Sequence, residues 1–134
     1  MIYFISDTHY HHSNICSSTS EWSNKDRCRI FSTLSEHDDW IVNFINKTVG
    51  VDDELYHLGD WSFGGENQIR KFRDRIICKN IHLICGNHDH HISDHPGRYS
   101  DIFKSITVHP GIKFITVHGQ KIIMSHYAAR TWFA

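Results

Sequence analysis

Three short apolar runs, separated by two segments of helical length, most constrain the fold of this chain. The runs cover residues 2–6, 54–60 and 80–89, and each is rich in β-formers before it ends in polar residues. Alternation of strand and helix is typical of parallel βαβ units, whose strands are covered on both faces. The sequence therefore predicts an α/β domain with a parallel sheet in its first half.

The first intervening segment, "SEHDDWIVNFINKTV", has the features of a helix start, an apolar face and a stop. Ser35 is the predicted N-cap, and Gly50 follows the last apolar position, as a helix end requires. The predicted apolar face, which includes two aromatic residues expected in the core, is Trp40, Ile41, Phe44, Ile45 and Val49. A second helix is predicted over roughly residues 66–77.

The pattern changes after residue 102. Three β-branched runs follow at 102–108, 112–117 and 121–126, and "HGQ" between the last two indicates a hairpin turn. The second half is therefore predicted to be more antiparallel. Residues 16–32 are rich in serine and lack periodicity, which predicts a loop or a poorly ordered insertion. The whole chain, 1–134, is interpreted as one domain.

Composition excludes several classes of protein. The net charge of −1 gives no basic field for strong nucleic-acid binding. No signal peptide and no membrane-spanning run are visible, which predicts a cytoplasmic protein without a membrane partner. The four cysteines form no C-x-x-C pair and are expected to be free thiols. A less favoured alternative is a zinc cluster that joins Cys16 and Cys28 to His11 or His12.

Polar residues that suit a metal ion follow four of the predicted strands. These residues are Asp7 and His9, Gly59 and Asp60, Gly86 through Asp89, and Ser125 with His126. Ligands of open α/β sheets collect beyond the carboxyl ends of the strands, so these groups are expected to meet in one crevice. Carboxylate, amide and imidazole ligands favour Mn²⁺, Fe²⁺ or Zn²⁺. Thirteen histidines strengthen the expectation of a metal protein.

The motifs "DTH", "GD", "GNHD" and "SH", in this order, resemble those of the calcineurin-like metallophosphoesterases. "SDTHYHHSNI", "YHLGDWSFG" and "SHYAARTW" are closest to the small bacterial and phage-type members. The resemblance implies a layered β-sandwich flanked by helices. It also implies hydrolysis of a small phosphomonoester or phosphodiester, a nucleotide among them, at two divalent ions. Mn²⁺ is the favoured ion, with Fe, Zn or Ni as alternatives.

The resemblance also assigns roles to residues at matching positions. Asp7 and His9 would bind the first metal, Asp60 would bridge, and Asn87 and His126 would bind the second. His88 would act beside the phosphate as a catalytic residue, with Asp89 orienting it. The expected substrate contacts are His12, Asn14 and Arg130. By contrast, His57 and His82 are interpreted as structural, and His37 as solvated.

One part of the family pattern is absent. The G-H-x-H motif that normally follows the "SHY" segment does not occur, so the resemblance supplies five of seven expected ligands. Three explanations stay open: a natural short form, a fragment that is incomplete at its C-terminus, or a non-catalytic relative that serves as a binding or scaffold module. A homodimer that covers the sheet edge at 121–125 is one expected arrangement.

Overall fold

A four-stranded parallel sheet forms the centre of the structure, a computed structural model that describes residues 1–131. Its strands lie side by side in chain order: β1 (Ile2–Ile5), β2 (Glu54–His57), β3 (Asn80–Ile84) and β4 (Ser105–Thr107). The crossovers contain the helices α1 (Leu34–Thr48), α2 (Gly65–Arg75) and α3 (His90–Asp94), with 3₁₀ turns at Ser13–Ile15 and Pro96–Tyr99. The parallel arrangement predicted for the first half is confirmed.

The antiparallel part of the fold is a single hairpin of β5 (Ile112–Val117) and β6 (Gln120–Ser125). His118 and Gly119 form its two-residue turn, both with positive φ (49° and 81°), as a type I′ turn requires. The run at 102–108 was expected to share this antiparallel character, and that was wrong. It supplies β4, which pairs parallel with β3 because α3 and the second 3₁₀ turn carry the chain across.

Alternate residues of the central sheet face two different layers. The face that carries Leu55, Ile81 and Leu83 packs against α1 and α2, and this cluster is the larger of the two cores. The opposite face contributes Tyr56 and Ile84 to a smaller cluster that contains Met124, Ile115 and Ile122 of the hairpin. Helices, parallel sheet and hairpin thus form successive layers, which agrees with the metallophosphatase-type α/β fold.

Helix α1 is rotated relative to the prediction. Its N-cap is Thr33, not Ser35, because the Thr33 side chain accepts a hydrogen bond from the Glu36 amide at 3.0 Å. Val42 is buried, whereas Trp40 and Phe44 are 53% and 50% exposed and stack on each other. The two aromatic residues were therefore wrongly assigned to the core.

Polar contacts as well as apolar packing determine this rotation of α1. Asn46 donates to the Arg75 carbonyl and accepts from the Ile77 amide, which holds this side of α1 against the end of α2. Near the other end of α1, Asp38 is buried and bonded to the His11 amide. Both contacts turn the Trp40–Phe44 stripe outward. Among the residues described, no helix has the length and apolar character to cross a membrane.

Candidate metal centre

The loops after β1 and β2 run side by side beyond the sheet. The Asp7 amide donates to the Gly59 carbonyl at 2.9 Å, and the His9 amide donates to the Asp60 carbonyl at 3.0 Å. This pairing brings the side chains of Asp7, His9 and Asp60 together, with their ligand atoms within 4.8 Å of one another. His9 Nε2 lies 3.4 Å from oxygens of both carboxylates.

These three residues also share an uncommon backbone conformation. The φ angles are 54° at Asp7, 50° at His9 and 57° at Asp60, all in the left-handed region. Non-glycine residues in this region cost free energy, and such residues cluster at functional sites. The surrounding hydrogen bonds must therefore hold the loops in a shape that the isolated chain would not prefer.

A second donor group lies on the other side of Asp60. His126, just after β6, places Nε2 3.6 Å from Asp60 Oδ2 and 3.1 Å from Asn87 Oδ1. Its Nδ1 lies 2.8 Å from the Leu58 carbonyl. Because a carbonyl can only accept, Nδ1 carries the proton and Nε2 is left with a lone pair for a metal ion. Asp60 thus has a potential metal-binding nitrogen on each side.

Two glycines allow this close approach. A Cβ built on Gly59 would lie 2.5 Å from His126 Nδ1, and one on Gly86 would lie 2.8 Å from His126 Cε1 and in contact with Asp60 Oδ1. Either side chain would therefore push into the space between Asp60 and His126. The polar residues after β2 and β3 can converge only because these positions lack a Cβ.

Asp60 is held as an anion. Burial opposes its ionisation most strongly, yet hydrogen bonds from His9 and from the His88 amide together prevail and lower the pKa of this carboxyl. The result is a buried carboxylate, 4% exposed, between imidazoles on both sides. Such a group can attract two cations, because its Oδ2 lies 3.4 Å from His9 Nε2 and 3.6 Å from His126 Nε2, while its Oδ1 accepts from the His88 amide.

Asp89 is bonded to the backbones of the loops after β2 and β3. Its carboxylate accepts hydrogen bonds from the backbone amides of Asp60, Trp61 and Gly86, at 2.7, 2.9 and 2.7 Å. These bonds engage both oxygens with the loop backbones, and the expectation that Asp89 orients His88 stays a prediction. Burial raises the pKa of Asp89 despite the three amides. Asp89 therefore ties the β2 and β3 loops together beneath the site.

The other predicted site residues occupy varied positions. His88 is exposed at the rim, with its ring 4.8 Å from that of Phe63 and 6.0 Å from that of His9. His12 stacks on Phe63 and lies 3.0 Å from His9 through the Nδ1 atoms. Asn14 accepts from the Glu21 amide, which engages its side-chain oxygen within the 16–32 loop region. Arg130 is exposed after β6.

A buried polar cluster underlies the first loop and was only partly expected. His57, fully buried, accepts from the Gly59 amide through Nδ1 and donates through Nε2 to the Thr8 hydroxyl at 2.8 Å. Thr8 in turn donates to the Trp61 carbonyl. Burial lowers the pKa of His57 to about 3, so the ring is neutral. His57 is structural, as predicted, and it supports the loop between Asp7 and His9.

Arg29 and Asp38 also contact the β1 loop, and no pattern in the sequence predicts these contacts. The guanidinium of Arg29 contacts the Asp7 and Thr8 carbonyls and the His37 ring. His37 was expected to be solvated, but it is fully buried because Arg29 and Asp38 enclose it in hydrogen bonds. An arginine in a serine-rich loop belongs to no motif that would identify this contact.

The donor set is chemically suited to divalent metal ions. It consists of carboxylate oxygens, one amide oxygen and imidazole nitrogens, which fit Mn²⁺, Fe²⁺ or Zn²⁺. Thiols do not contribute: all four cysteines are free, and Cys28 directs its sulfur to the Asn14 carbonyl instead of to Cys16. The alternative zinc cluster therefore receives no support from these contacts. Asp7, His9 and Asp60 fit one ion, and Asp60, Asn87 and His126 are placed for another.

Comparison with known proteins identifies relatives in sequence and in structure. The chain is 32% identical over 119 residues to the uncharacterized protein MJ1445 of Methanocaldococcus jannaschii, covering 87% of this chain and 57% of that protein. It is similar in structure to the protein of unknown function AQ665 from Aquifex aeolicus, with a TM-score of 0.68 and 28% identity. That match covers 97% of this chain and 62% of the Aquifex chain.

The chain therefore spans less than two thirds of the length of either relative. The family profile described as calcineurin-like phosphoesterase matches residues 1–132, which include all the donor residues described above. Together with the strand-end donors around Asp60, this match shows that the chain belongs to the calcineurin-like phosphoesterase family.

Proposed function

We propose that the protein is a metal-dependent phosphoesterase that hydrolyses a small phosphomonoester or phosphodiester with two divalent ions, Mn²⁺ being the preferred pair. The observation that carries this proposal is the position of Asp60. Its carboxylate lies 3.4 Å from His9 on one side and 3.6 Å from His126 on the other. A carboxylate between two donor groups is suited to bridge two cations in a two-metal site.

Each residue has a distinct task in this proposal. Asp7 and His9 would hold one ion, Asn87 and His126 the other, and Asp60 both. When bound, the ions lower the pKa of water and offset the charge of the phosphoryl oxygens. His88 lies at the exposed rim, where its imidazole can neutralise charge on the phosphoryl group or protonate the leaving oxygen.

The surroundings of the site favour a small substrate. A cavity of about 450 Å³ adjoins His126 and is lined by the turn around His109 and by Tyr127. This volume is in the range of small-molecule pockets. The net charge of −1 favours a small ester over a long nucleic acid, since the chain carries no excess of positive charge to attract a phosphate backbone.

The proposal is tested by metal content and turnover of purified protein. Wild type is expected to bind about two Mn²⁺ per chain and to hydrolyse p-nitrophenyl phosphate or its bis ester. Asp7→Ala and Asn87→Ala should each lose at least about 100-fold in turnover. Asp94→Ala and Asn67→Ala, at exposed positions on α3 and α2, are matched controls that should retain activity.

Two outcomes would contradict the enzymatic proposal. One is sub-stoichiometric metal with no turnover of either ester, which would favour a binding or scaffold module. The other is turnover that Asp7→Ala and Asn87→Ala leave unchanged, because the chemistry would then occur elsewhere. Circular dichroism of each variant separates loss of the metal centre from loss of the fold.

A further inference from the structure

The guanidinium of Arg29 lies directly behind the loop that carries Asp7 and His9. Nη2 donates to the Asp7 carbonyl at 2.5 Å, and Nη1 donates to the Thr8 carbonyl at 2.9 Å. Both acceptors belong to the backbone between the strand end of β1 and His9. The planar guanidinium thus acts as a bidentate donor to two consecutive peptide groups of the loop.

Arg29 is itself held in place from its other side. Its Nη1 also lies 2.9 Å from His37 Nε2, and His37 Nδ1 lies 2.9 Å from Asp38 Oδ1. Because arginine can only donate, His37 Nε2 accepts the bond from Arg29. His37 Nδ1 therefore carries the ring proton and donates a hydrogen bond to Asp38 Oδ1. Asp38 Oδ1 also accepts from the His11 amide. A continuous chain of hydrogen bonds therefore runs from α1 to the metal-binding loop.

Backbone hydrogen bonds of the 16–32 segment hold Arg29 in this position. The Arg29 amide donates to the Ile15 carbonyl at 2.6 Å, and the Arg29 carbonyl accepts from the Ser17 amide at 2.9 Å. The return arm of the loop is thereby paired with the chain just after the first 3₁₀ turn. The segment that the sequence predicted as a loop or poorly ordered insertion thus contributes a defined contact.

The β1 loop needs such a support. Asp7 and His9 both have left-handed backbone conformations, which side-chain-bearing residues rarely adopt without outside contacts. Arg29 donates to the carbonyl of Asp7 and to the carbonyl of Thr8, the residue between Asp7 and His9. Without Arg29, the Asp7 carbonyl loses this hydrogen bond and the Thr8–His9 peptide group keeps only the bond from the His9 amide to the Asp60 carbonyl. The Asp7 and His9 side chains would then be held less firmly toward a common centre.

We propose that Arg29 is a positioning residue of the metal centre, which holds the Asp7–His9 loop in its metal-binding shape and is oriented by His37 and Asp38. This inference rests on the proposed metal-dependent function. It predicts the direction in which the metal affinity changes when Arg29 is replaced. A positive charge near bound cations repels them, so loss of charge alone would tighten metal binding, whereas loss of positioning weakens it.

The experiment measures Mn²⁺ binding by titration calorimetry for wild type, Arg29→Lys and Arg29→Ala. Lysine retains the charge but not the planar two-pronged donor. Both variants should bind Mn²⁺ at least about tenfold more weakly, as residues that orient metal ligands typically do. Arg27→Ala, an exposed arginine of the same loop, is the matched control and should bind as wild type does.

Two further measurements separate positioning from general destabilisation. Guanidinium chloride, added at concentrations that leave the melting temperature of Arg29→Ala unchanged, should restore part of its Mn²⁺ affinity. His37→Gln, which leaves Arg29 in the chain, should weaken Mn²⁺ binding in the same direction but less. It also serves as the test if the two Arg29 variants fail to fold.

Wild-type affinity in Arg29→Lys and Arg29→Ala, or tighter binding in Arg29→Ala, would overturn the inference. If those two variants do not fold, wild-type affinity in His37→Gln would overturn it instead. Absence of Mn²⁺ binding in wild type would contradict the proposed function itself, so the two failures are distinguishable.

Discussion

The two sides of the candidate metal centre are built in different ways. The Asp7–His9 side comes from the end of β1, the first strand in the order of the parallel sheet, and its backbone is bonded to the neighbouring loop at residues 59 and 60. The Asn87–His126 side joins an exposed asparagine after β3 to a histidine from the hairpin layer. His126 is tied to the central sheet by its contact with the Leu58 carbonyl.

This difference indicates how the two sides are expected to behave. Adjacent parallel strands bring their loops together as part of the same hydrogen-bonded sheet, so the Asp7–His9 side depends on the sheet and on the support that Arg29 gives to the loop. The Asn87–His126 side depends on how the hairpin packs against the sheet, through Met124 and its neighbours. We therefore expect the first side to bind a metal ion more tightly than the second.

Asp60→Asn provides the strongest test, because Asp60 lies on both sides. Replacing the anion by an amide should remove metal binding on each side and reduce turnover by at least about 100-fold. The measurements are metal content and ester hydrolysis with added Mn²⁺. Asp94→Asn, at an exposed position, is the control. Retention of one tightly bound ion in Asp60→Asn would show that the first side does not need the shared carboxylate.

Gly86→Ala tests the second side through crowding. The added Cβ would meet Asp60 Oδ1 and the Asp60 amide, and lie 2.8 Å from His126 Cε1. We expect a loss of about 2 kcal/mol in the free energy of unfolding, as for overpacked sites, and weaker binding of the second ion. Gly97→Ala is the matched control, because a Cβ there meets nothing within 4 Å. Equal stability of both variants by urea denaturation would contradict the crowding.

The pH dependence of stability in His57→Gln tests the support that His57 gives to the Asp7–His9 side. Its pKa is lowered from 6.5 to about 3 by burial, so between these values the unfolded chain binds a proton that the native protein does not. Stability should therefore fall as pH drops through this range, by about 1 kcal/mol per pH unit from this group. His57→Gln should flatten the acid limb of the curve measured by urea denaturation from pH 7 to pH 4.

The control for His57 is His95→Gln, at an exposed position after α3. It should leave the slope of stability against pH unchanged. The slope, and not the absolute stability, is the quantity to compare, because His57→Gln also alters the bonds to Thr8 and Gly59. An unchanged slope in His57→Gln would show that other groups set the acid stability.

The sequence was sufficient to predict what local pattern determines. The strand ends at Asp7, Asp60 and Asn87 were visible because each apolar run stops at a glycine or at a polar residue with metal-binding chemistry. Parallel order followed from the helical spacing between runs. The hairpin turn followed from His118 and Gly119, whose left-handed conformations a two-residue loop requires.

What the sequence could not indicate are contacts between distant segments. The family resemblance assigned Asp89 to His88, whereas the structure bonds Asp89 to the backbone amides of residues 60, 61 and 86. Every residue except proline has a backbone amide, so the sequence does not indicate which amides a carboxylate will contact. The rotation of α1 was likewise invisible, because its apolar stripe and its aromatic stripe overlap, and only the contacts of Asp38 and Asn46 decide which one faces inward.

Trp40→Gln should have the smallest effect and tests that rotation. If α1 supports the first side only through its inward face, loss of a ring that is 53% exposed should change the free energy of unfolding by no more than about 0.5 kcal/mol. Ile41→Ala, one residue further and buried, should cost about 2 kcal/mol or more. A larger loss for Trp40→Gln than for Ile41→Ala, by urea denaturation, would mean that the aromatic stripe is covered in solution. The hydrogen bond from His37 to Asp38 would then have to be made with α1 in another orientation.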